Sequence, residues 1–322
     1  MIGIKTPFRI SFAGGSSDIK SYYKNHGGAV ISTSINKYMY HFIHKYSSNE
    51  TRINYSETET IENLEKIKHP IVNAVSSIYQ IKGLDITSVA DFPKGTGLGS
   101  SSAYTVGLIN GLSVYENKPL AGGELAELAC KVEIDYLNRP IGKQDQYAST
   151  FGGLNKIIFN KDDSVEINNI LLESDIQDFL NSSMALYKVG KSRNAHDVLK
   201  DQNSGILSGQ NIKIIDSLKN LVDPMIQSLV SGNIKDVGEL LTQGWTLKRK
   251  LSNKITNPEI DSSLDEITKT KGIYGYKLLG AGGGGYLLLI GESKSLDKLS
   301  EFSTERFEMG NNGSQILFND KN

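Results

Sequence analysis

The residues from Asp91 to Ala103, DFPKGTGLGSSSA, have the types and spacing to hold a phosphate. Gly95, Gly97 and Gly99 let the backbone fold tightly and keep its N–H groups uncovered. The stretch before them, GLDITSVA, alternates as a strand does. Tyr104 to Val114 after them repeats at helical spacing through Val106, Ile109, Leu112 and Ser113. Ser100, Ser101 and Ser102 therefore stand on the first turn of a helix, where free amides and the helix dipole favour an anion. The alternative is a plain strand-to-helix connection, which rarely needs three glycines and three serines together.

Two other glycine patterns fail on context. The form GxxxxGK[ST] has no lysine after Gly99, and at Gly190-Lys191-Ser192 its first glycine is replaced by Ala185. Gly280, Gly282 and Gly285 match GxGxxG, but YLLLI after them reads as a strand where that pattern needs a helix.

Three carboxylates stand out. Asp145, in Gly142-Lys143-Gln144-Asp145-Gln146-Tyr147, is flanked by two amides and a lysine beside apolar Ala148 and Phe151. Phosphoryl transfer needs a carboxylate to orient and deprotonate the attacking hydroxyl. A helix cap is the other use of an aspartate there. Glu133 lies on a predicted helix over 123–138, at the edge of the stripe Leu125, Leu128, Ala129, Val132 and Leu137, so it needs a partner. A helix salt bridge would serve. Asp18, after Gly14-Gly15-Ser16-Ser17, can accept two substrate hydroxyls or, with Ser17, cap a short helix over 19–24.

The loop PKGTGLGSSSA resembles the ATP-phosphate loop of the GHMP kinases, a family that includes galactokinase, homoserine kinase and mevalonate kinase. PFRISFAGGSSD from Pro7 to Asp18 is similar to that family's first motif, and KLLGAGGGG from Lys277 to Gly285 to its third. Together they span nearly the whole chain. The resemblance implies an α+β fold in two domains, an S5-like N-terminal domain over 1–175 and a ferredoxin-like C-terminal domain over 176–322. It implies ATP and Mg2+ as cofactors, with Lys94, Gly95, Thr96, Gly97, Leu98, Gly99, Ser100, Ser101 and Ser102 around the nucleotide and Ser101 with Glu133 on the metal. It places the catalytic base at Asp145 and its cationic support at Arg9; a surface strand arginine is the alternative for Arg9. Asp18, Gly14, Gly15, Ser16, Lys143, Gln144, Gly282 and Gly283 would face the sugar, although the turn at 280–285 also fits a tight hairpin.

Within the family, RISFAGGxxD and GKQDQY are most similar to members that phosphorylate the anomeric hydroxyl of a heptose 7-phosphate, with the fucokinase type as neighbour. Gly15-Ser16 stands where galactose-specific members have Glu-His, which argues against galactose. Lys191 and Arg193 flank a serine ahead of a helix; they would hold the second phosphate or form a solvated turn. A catalytically inactive nucleotide and sugar sensor is the reading from another class.

These residues need strands and helices to hold them. Strands are predicted at 4–12, at 28–46 in two pieces, at 154–159, 165–172, 274–279 and 286–291, in SMALYKVG and in the closing QILFN. Helices are predicted at 64–82, across 211–252, at 258–271 and in SLDKLSEFSTERF. With 322 residues, a net charge of −1 and mixed charges, neither nucleic acid nor membrane is expected as a partner, and the resemblance implies a small sugar phosphate. Its N-terminus has no signal-peptide layout, so a cytoplasmic location is expected. Cys130, the single cysteine, reads as a small core residue.

Overall fold

The computed structural model describes residues 1–46, 49–190, 195–299 and 304–321. The first part runs β1 (Ile2–Ala13), α1 (Lys20–His26), β2 (Gly28–Lys45), β3 (Thr51–Asn54), β4 (Thr58–Ile61), α2 (Pro70–Ser76), β5 (Leu84–Ala90), α3 (Ser100–Tyr115), α4 (Gly122–Cys130), α5 (Gln144–Phe151), β6 (Leu154–Phe159) and β7 (Val165–Asn169). The second runs α6 (Ser174–Ser182), β8 (Met184–Val189), α7 (Ala195–Leu207), α8 (Ile212–Asn220), α9 (Val222–Val230), α10 (Ile234–Lys248), α11 (Pro258–Ile267), β9 (Ile273–Leu278), β10 (Gly285–Gly291), α12 (Ser293–Lys298) and β11 (Thr304–Glu305). Two short strands close the chain, β12 (Met309–Gly310) and β13 (Gln315–Asn319).

One sheet follows the order β13-β1-β2-β5-β3-β4, with β12 and β6 also on β2 and β7 on β6. Its pairs are antiparallel except β3 with β5. A second, antiparallel sheet has the order β11-β8-β10-β9. The expected α+β mixture is therefore present, but the last strands pair with the first sheet. A division at 175/176 assigns β12 and β13 to one part while they hydrogen-bond to the other.

Four predicted elements differ. β2 is one strand of 18 residues and not two. The polar run Ser32-Thr33-Ser34 stays extended within the sheet, and Ser34 Oγ donates to Gly310 O and accepts from Gly153 N. The helix expected over 64–82 is a short turn at Leu64–Lys66 and then α2, because Pro70 cannot continue a helix but can begin one. The strand expected to reach 172 stops at Asn169, and α6 follows unforeseen. The last helix ends at Lys298 and not at 307; Thr304 and Glu305 pair with β8.

Helix α3 is buried on nearly every side, as a central core helix must be. Gly107 and Gly111 let it lie close on β1 and β2: a Cβ at Gly107 would stand 2.7 Å from Thr6 Oγ1, and one at Gly111 2.5 Å from Ile4 Cδ1. That contact fixes where the helix N-terminus, and the glycine loop before it, must sit. The core is continuous across both parts, with Ile10 and Phe12 in one cluster with Leu186, Leu241 and Leu288.

Candidate active site

The loop between β5 and α3 needs its glycines. Gly95, Gly97 and Gly99 have φ of +81°, +81° and +75°, in the left-handed region that strains any other residue. No side chain caps α3, whose first turn carries Ser100, Ser101 and Ser102. Lys94 and Gly95 are exposed, Ser101 is exposed, and Leu98 and Thr96 are buried beneath. Tyr286 N donates to Thr96 O at 3.3 Å.

Gly97 and Gly280 interlock. A Cβ on Gly97 would lie 2.5 Å from Leu279 O, and one on Gly280 would lie 2.4 Å from Gly97 Cα. The glycines of 280–285 thus bring backbone against the loop at 95–99, in a turn that is also the β9–β10 hairpin. Gly282 and Gly283 pack elsewhere: Gly283 N donates to Ile255 O at 2.8 Å, and Gly283 O accepts from Asn257 Nδ2 at 3.3 Å. Gly97→Ala is expected to weaken binding of adenylyl-imidodiphosphate by about tenfold or more, since it adds both left-handed strain and a backbone clash. Calorimetric titration checks this; unchanged affinity would show that the loop tolerates displacement.

Beneath this junction lies a buried polar cluster. Arg9, on β1, donates through Nε to Asp145 Oδ1 at 2.7 Å and through Nη2 to Asp145 Oδ2 at 2.8 Å. Its Nη1 donates to Gly97 O at 2.6 Å. Arg9 is 3 % exposed, so it is not a surface arginine. A planar fork matched to a carboxylate holds both groups in one geometry. Asp145 lies in the first turn of α5 and does not cap it. Gln144 joins the pair: its Nε2 donates to Asp145 Oδ1 at 3.2 Å and its Oε1 accepts from Ser11 Oγ at 2.7 Å.

Asp18 is buried beside them and accepts from Gln144 N at 3.2 Å. It does not cap α1, which has no side-chain cap; Ser17 Oγ instead donates to Gly14 O and Ala29 O. Burial, with the Asp145 charge second, raises the Asp18 carboxyl to about 6. Gly14 is held for packing, since a Cβ there would be 2.0 Å from Ala29 O, while Gly15 has open space around it. Ser16, at φ 73°, donates to Gln202 Oε1 at 3.1 Å. Lys143 turns from the cluster: its Nζ donates to Glu127 Oε1 at 2.8 Å and to Asp163 O at 3.3 Å.

Glu133 is completely buried on a single π-helical turn, Lys131–Tyr136, that continues α4. Such turns recur at functional sites. Glu133 Oε1 accepts from Ser101 Oγ at 2.7 Å and Arg139 Nη1 at 2.6 Å. Its Oε2 accepts from Ser102 Oγ at 2.7 Å and Gln146 Nε2 at 2.8 Å. Arg139 Nη1 also donates to Ser101 Oγ at 2.6 Å. The salt bridge considered for Glu133 exists, and the same carboxylate reaches Ser101. One carboxylate and one hydroxyl are the oxygen donors that a magnesium ion completes with phosphates and water. Among the described residues no cluster of three or more His, Cys, Asp or Glu could hold a metal alone.

Four residues of this region carried no sequence signal. Lys277 Nζ donates to Ser11 O at 2.8 Å and Phe12 O at 3.0 Å, tying β9 to β1. Lys248, at the end of α10, donates to Leu278 O at 3.4 Å and to Gly280 O. Arg139 and Gln202 are the others; Gln202 Nε2 donates to Ala281 O at 3.4 Å and so links Ser16 to the third glycine turn. Lys277 opens the third motif, but nothing in its neighbours announces a buried ammonium. Lys191 and Arg193 lie outside the described residues. Cys130 is buried, as expected.

Known proteins share this architecture. Residues 60–153 match the GHMP kinases N terminal domain and residues 225–307 match GHMP kinases C terminal. The chain is 28 % identical over 303 residues to the D-glycero-alpha-D-manno-heptose 7-phosphate kinase of Campylobacter jejuni, covering 90 % of this chain and 89 % of that protein. It is 24 % identical over 340 residues to a Thermotoga petrophila galactokinase, covering 95 % and 93 %. The crystal structure of a D-glycero-D-manno-heptose 1-phosphate kinase from Bacteriodes thetaiotaomicron superposes along the whole of both chains with a TM-score of 0.80 at 24 % identity. Among the described residues no helix is long and apolar enough to cross a membrane. With both family models matched in order, this chain belongs to the GHMP kinases and is a sugar kinase, a phosphotransferase with a hydroxyl as acceptor.

Proposed function

We propose that the protein transfers the γ-phosphoryl group of ATP to the anomeric hydroxyl of D-glycero-D-manno-heptose 7-phosphate. The product is the 1,7-bisphosphate, a precursor for nucleotide-activated heptose and surface polysaccharide. The observation that carries the reading is the Arg9–Asp145 fork, anchored on Gly97 O of the phosphate loop with Asp18 buried beside it. The heptose follows from the similarity to the Campylobacter jejuni enzyme. Residues 1–175, joined in their sheet by β12 and β13, serve as the nucleotide-binding part and the rest of 176–322 as the second domain.

In this reading residues 94–102 surround the phosphates. Asp18 accepts hydrogen bonds from sugar hydroxyls and sets the acceptor's orientation. Asp145 takes the anomeric proton as that oxygen bonds to the γ-phosphorus. The bond to the bridging oxygen breaks and ADP leaves with its electron pair. Arg9 keeps Asp145 aimed and offsets charge that develops on the phosphoryl oxygens. Ser101 and Glu133 would hold magnesium, which when bound neutralises phosphate charge. Arg139 Nη1 donates to both of these oxygens, Ser101 Oγ and Glu133 Oε1, and would have to release them to such an ion.

ADP release with MgATP tests the proposal over a panel of D-glycero-D-manno-heptose 7-phosphate, sedoheptulose 7-phosphate, fucose, galactose and mannose. Turnover confined to the heptose phosphate is expected. Turnover on a free sugar instead would keep the kinase and discard the heptose, leaving a fucokinase-like enzyme. ATP binding with no turnover on any sugar would favour a sensor.

A further inference from the structure

Two buried lysines lie under the glycine junction with no carboxylate in salt-bridge reach among the described residues. Lys248 is 9 % exposed and Lys277 7 %. Their ammonium groups are met by backbone carbonyls alone: Leu278 O and Gly280 O for Lys248, Ser11 O and Phe12 O for Lys277. Carbonyl dipoles do not cancel a full charge, so an ammonium at either place has no compensating anion of its own, and burial pushes Lys277 well below the ordinary lysine range. Arg9, whose positive charge acts on both lysines, is already matched by Asp145.

The position of Lys248 is specific. It grips Gly280 O, and Gly280 is the residue in backbone contact with Gly97 of the phosphate loop. Arg9 grips Gly97 O on the other side of that contact. The two cations thus clamp two glycine turns that come from opposite ends of the chain. Lys248 also contributes one N–H beyond the two that these carbonyls engage.

We propose that Lys248 is a positioning residue for phosphoryl transfer, holding the 280–285 turn against the phosphate loop and supplying a positive charge that the incoming polyphosphate of ATP neutralises. The inference rests on the phosphoryl-transfer reading but not on which sugar accepts, so its test contains no sugar.

The groups that face Lys248 are Arg9 from β1, Asp145 from α5, Asp18 ahead of α1 and Lys277 from β9. Burial chiefly, with the Arg9 charge, brings the Lys248 ammonium down to about 8, and Asp145 and Asp18 act against that fall. Its charge is therefore present below about pH 8 and lost as the pH rises through that value.

Binding of adenylyl-imidodiphosphate is measured by calorimetry from about pH 6.5 to about pH 9.5. Wild-type affinity is expected to fall about tenfold across pH 8, the range in which the ammonium deprotonates. Lys248→Met, close in volume, is expected to bind about tenfold more weakly at neutral pH and to show no such fall. Lys248→Arg keeps its charge throughout and is expected to bind with a flat profile, whereas a limb that belonged to Lys277 would persist in it. Wild-type affinity that is constant across pH 8, or the same limb in Lys248→Arg, overturns the proposal. The wild-type titration decides even if Lys248→Met fails to fold. A failed heptose assignment would leave every one of these readouts in place.

Discussion

Asp145→Asn is expected to lower kcat by ~10²–10⁴-fold while KM for ATP stays within a few-fold of wild type. Asparagine has the shape of aspartate and keeps an acceptor for Arg9 Nε, now 2.7 Å from Asp145 Oδ1. It cannot take a proton from the acceptor hydroxyl. It also leaves the Arg9 charge unmatched, since Gly97 O is the other group that Arg9 holds. Breaking a fully buried ion pair costs about 3–5 kcal/mol. Asp145 is 28 % exposed on its side chain, so water offsets part of that loss and ~1–2 kcal/mol is expected in urea denaturation. The fold should therefore survive, and binding of adenylyl-imidodiphosphate should persist. A variant that folds, binds the analogue and keeps kcat within about tenfold of wild type would remove Asp145 from the chemistry. Arg9→Met paired with Asp145→Asn tests whether the two act as one unit, in which case the double variant is little worse than either single one.

The readable parts of the site share a property. The glycine loop, Asp18 and Asp145 each sit in a local run whose composition is unusual for a strand or helix, and Glu133 stands out as a carboxylate at the edge of an apolar helical stripe. Chemistry concentrated in a few neighbouring residues leaves a mark in sequence. The partners do not concentrate. Arg9 meets Asp145 across 136 residues, and Lys277 meets Ser11 across 266. Lys248 reads as a polar residue at a helix end, and only the approach of β9 turns it inward. The same limit applies to the fold. Period-two and helical patterns locate β1, β5, α3 and β10 well. The continuity of β2 draws on Ser34, which pairs with residues 310 and 153, and the return of β13 to β1 rests on pairing across the chain. Lys143 shows how far a long side chain departs from its place in the sequence. Its place beside Gln144 and Asp145 suggested a sugar contact, but its long side chain reaches Glu127, which the one-dimensional order places 16 residues away.

Asp18→Asn is expected to move stability and activity in opposite directions. The carboxyl is raised from 3.8 to about 6, by burial first and the Asp145 charge second. The folded state therefore binds this proton more tightly than the unfolded chain does. The sign follows: the stabilisation by protonated Asp18 is complete below about 4 and is lost as the pH rises through about 6. At neutral pH the fold must carry an ionised, buried carboxylate, at a cost of ~3 kcal/mol for a rise of this size. Asparagine keeps an acceptor for Gln144 N and has no charge to bury. The variant should be more stable than wild type at about pH 7.5, and the gap should shrink when both are unfolded in urea at about pH 4.5. The activity should fall, because a neutral amide accepts sugar hydroxyls less strongly than a carboxylate does. A charged hydrogen bond contributes about 1.5–3 kcal/mol, so kcat/KM for the sugar should drop ~10–100-fold. Wild-type kcat/KM should itself decline as the pH falls through about 6, and that limb should vanish in the variant. A variant less stable than wild type at both pH values would mean that Asp18 is retained for packing against Gly142 and α5. Greater stability at neutral pH with lost turnover would mean that the fold sustains an unfavourable buried charge for the sake of the sugar.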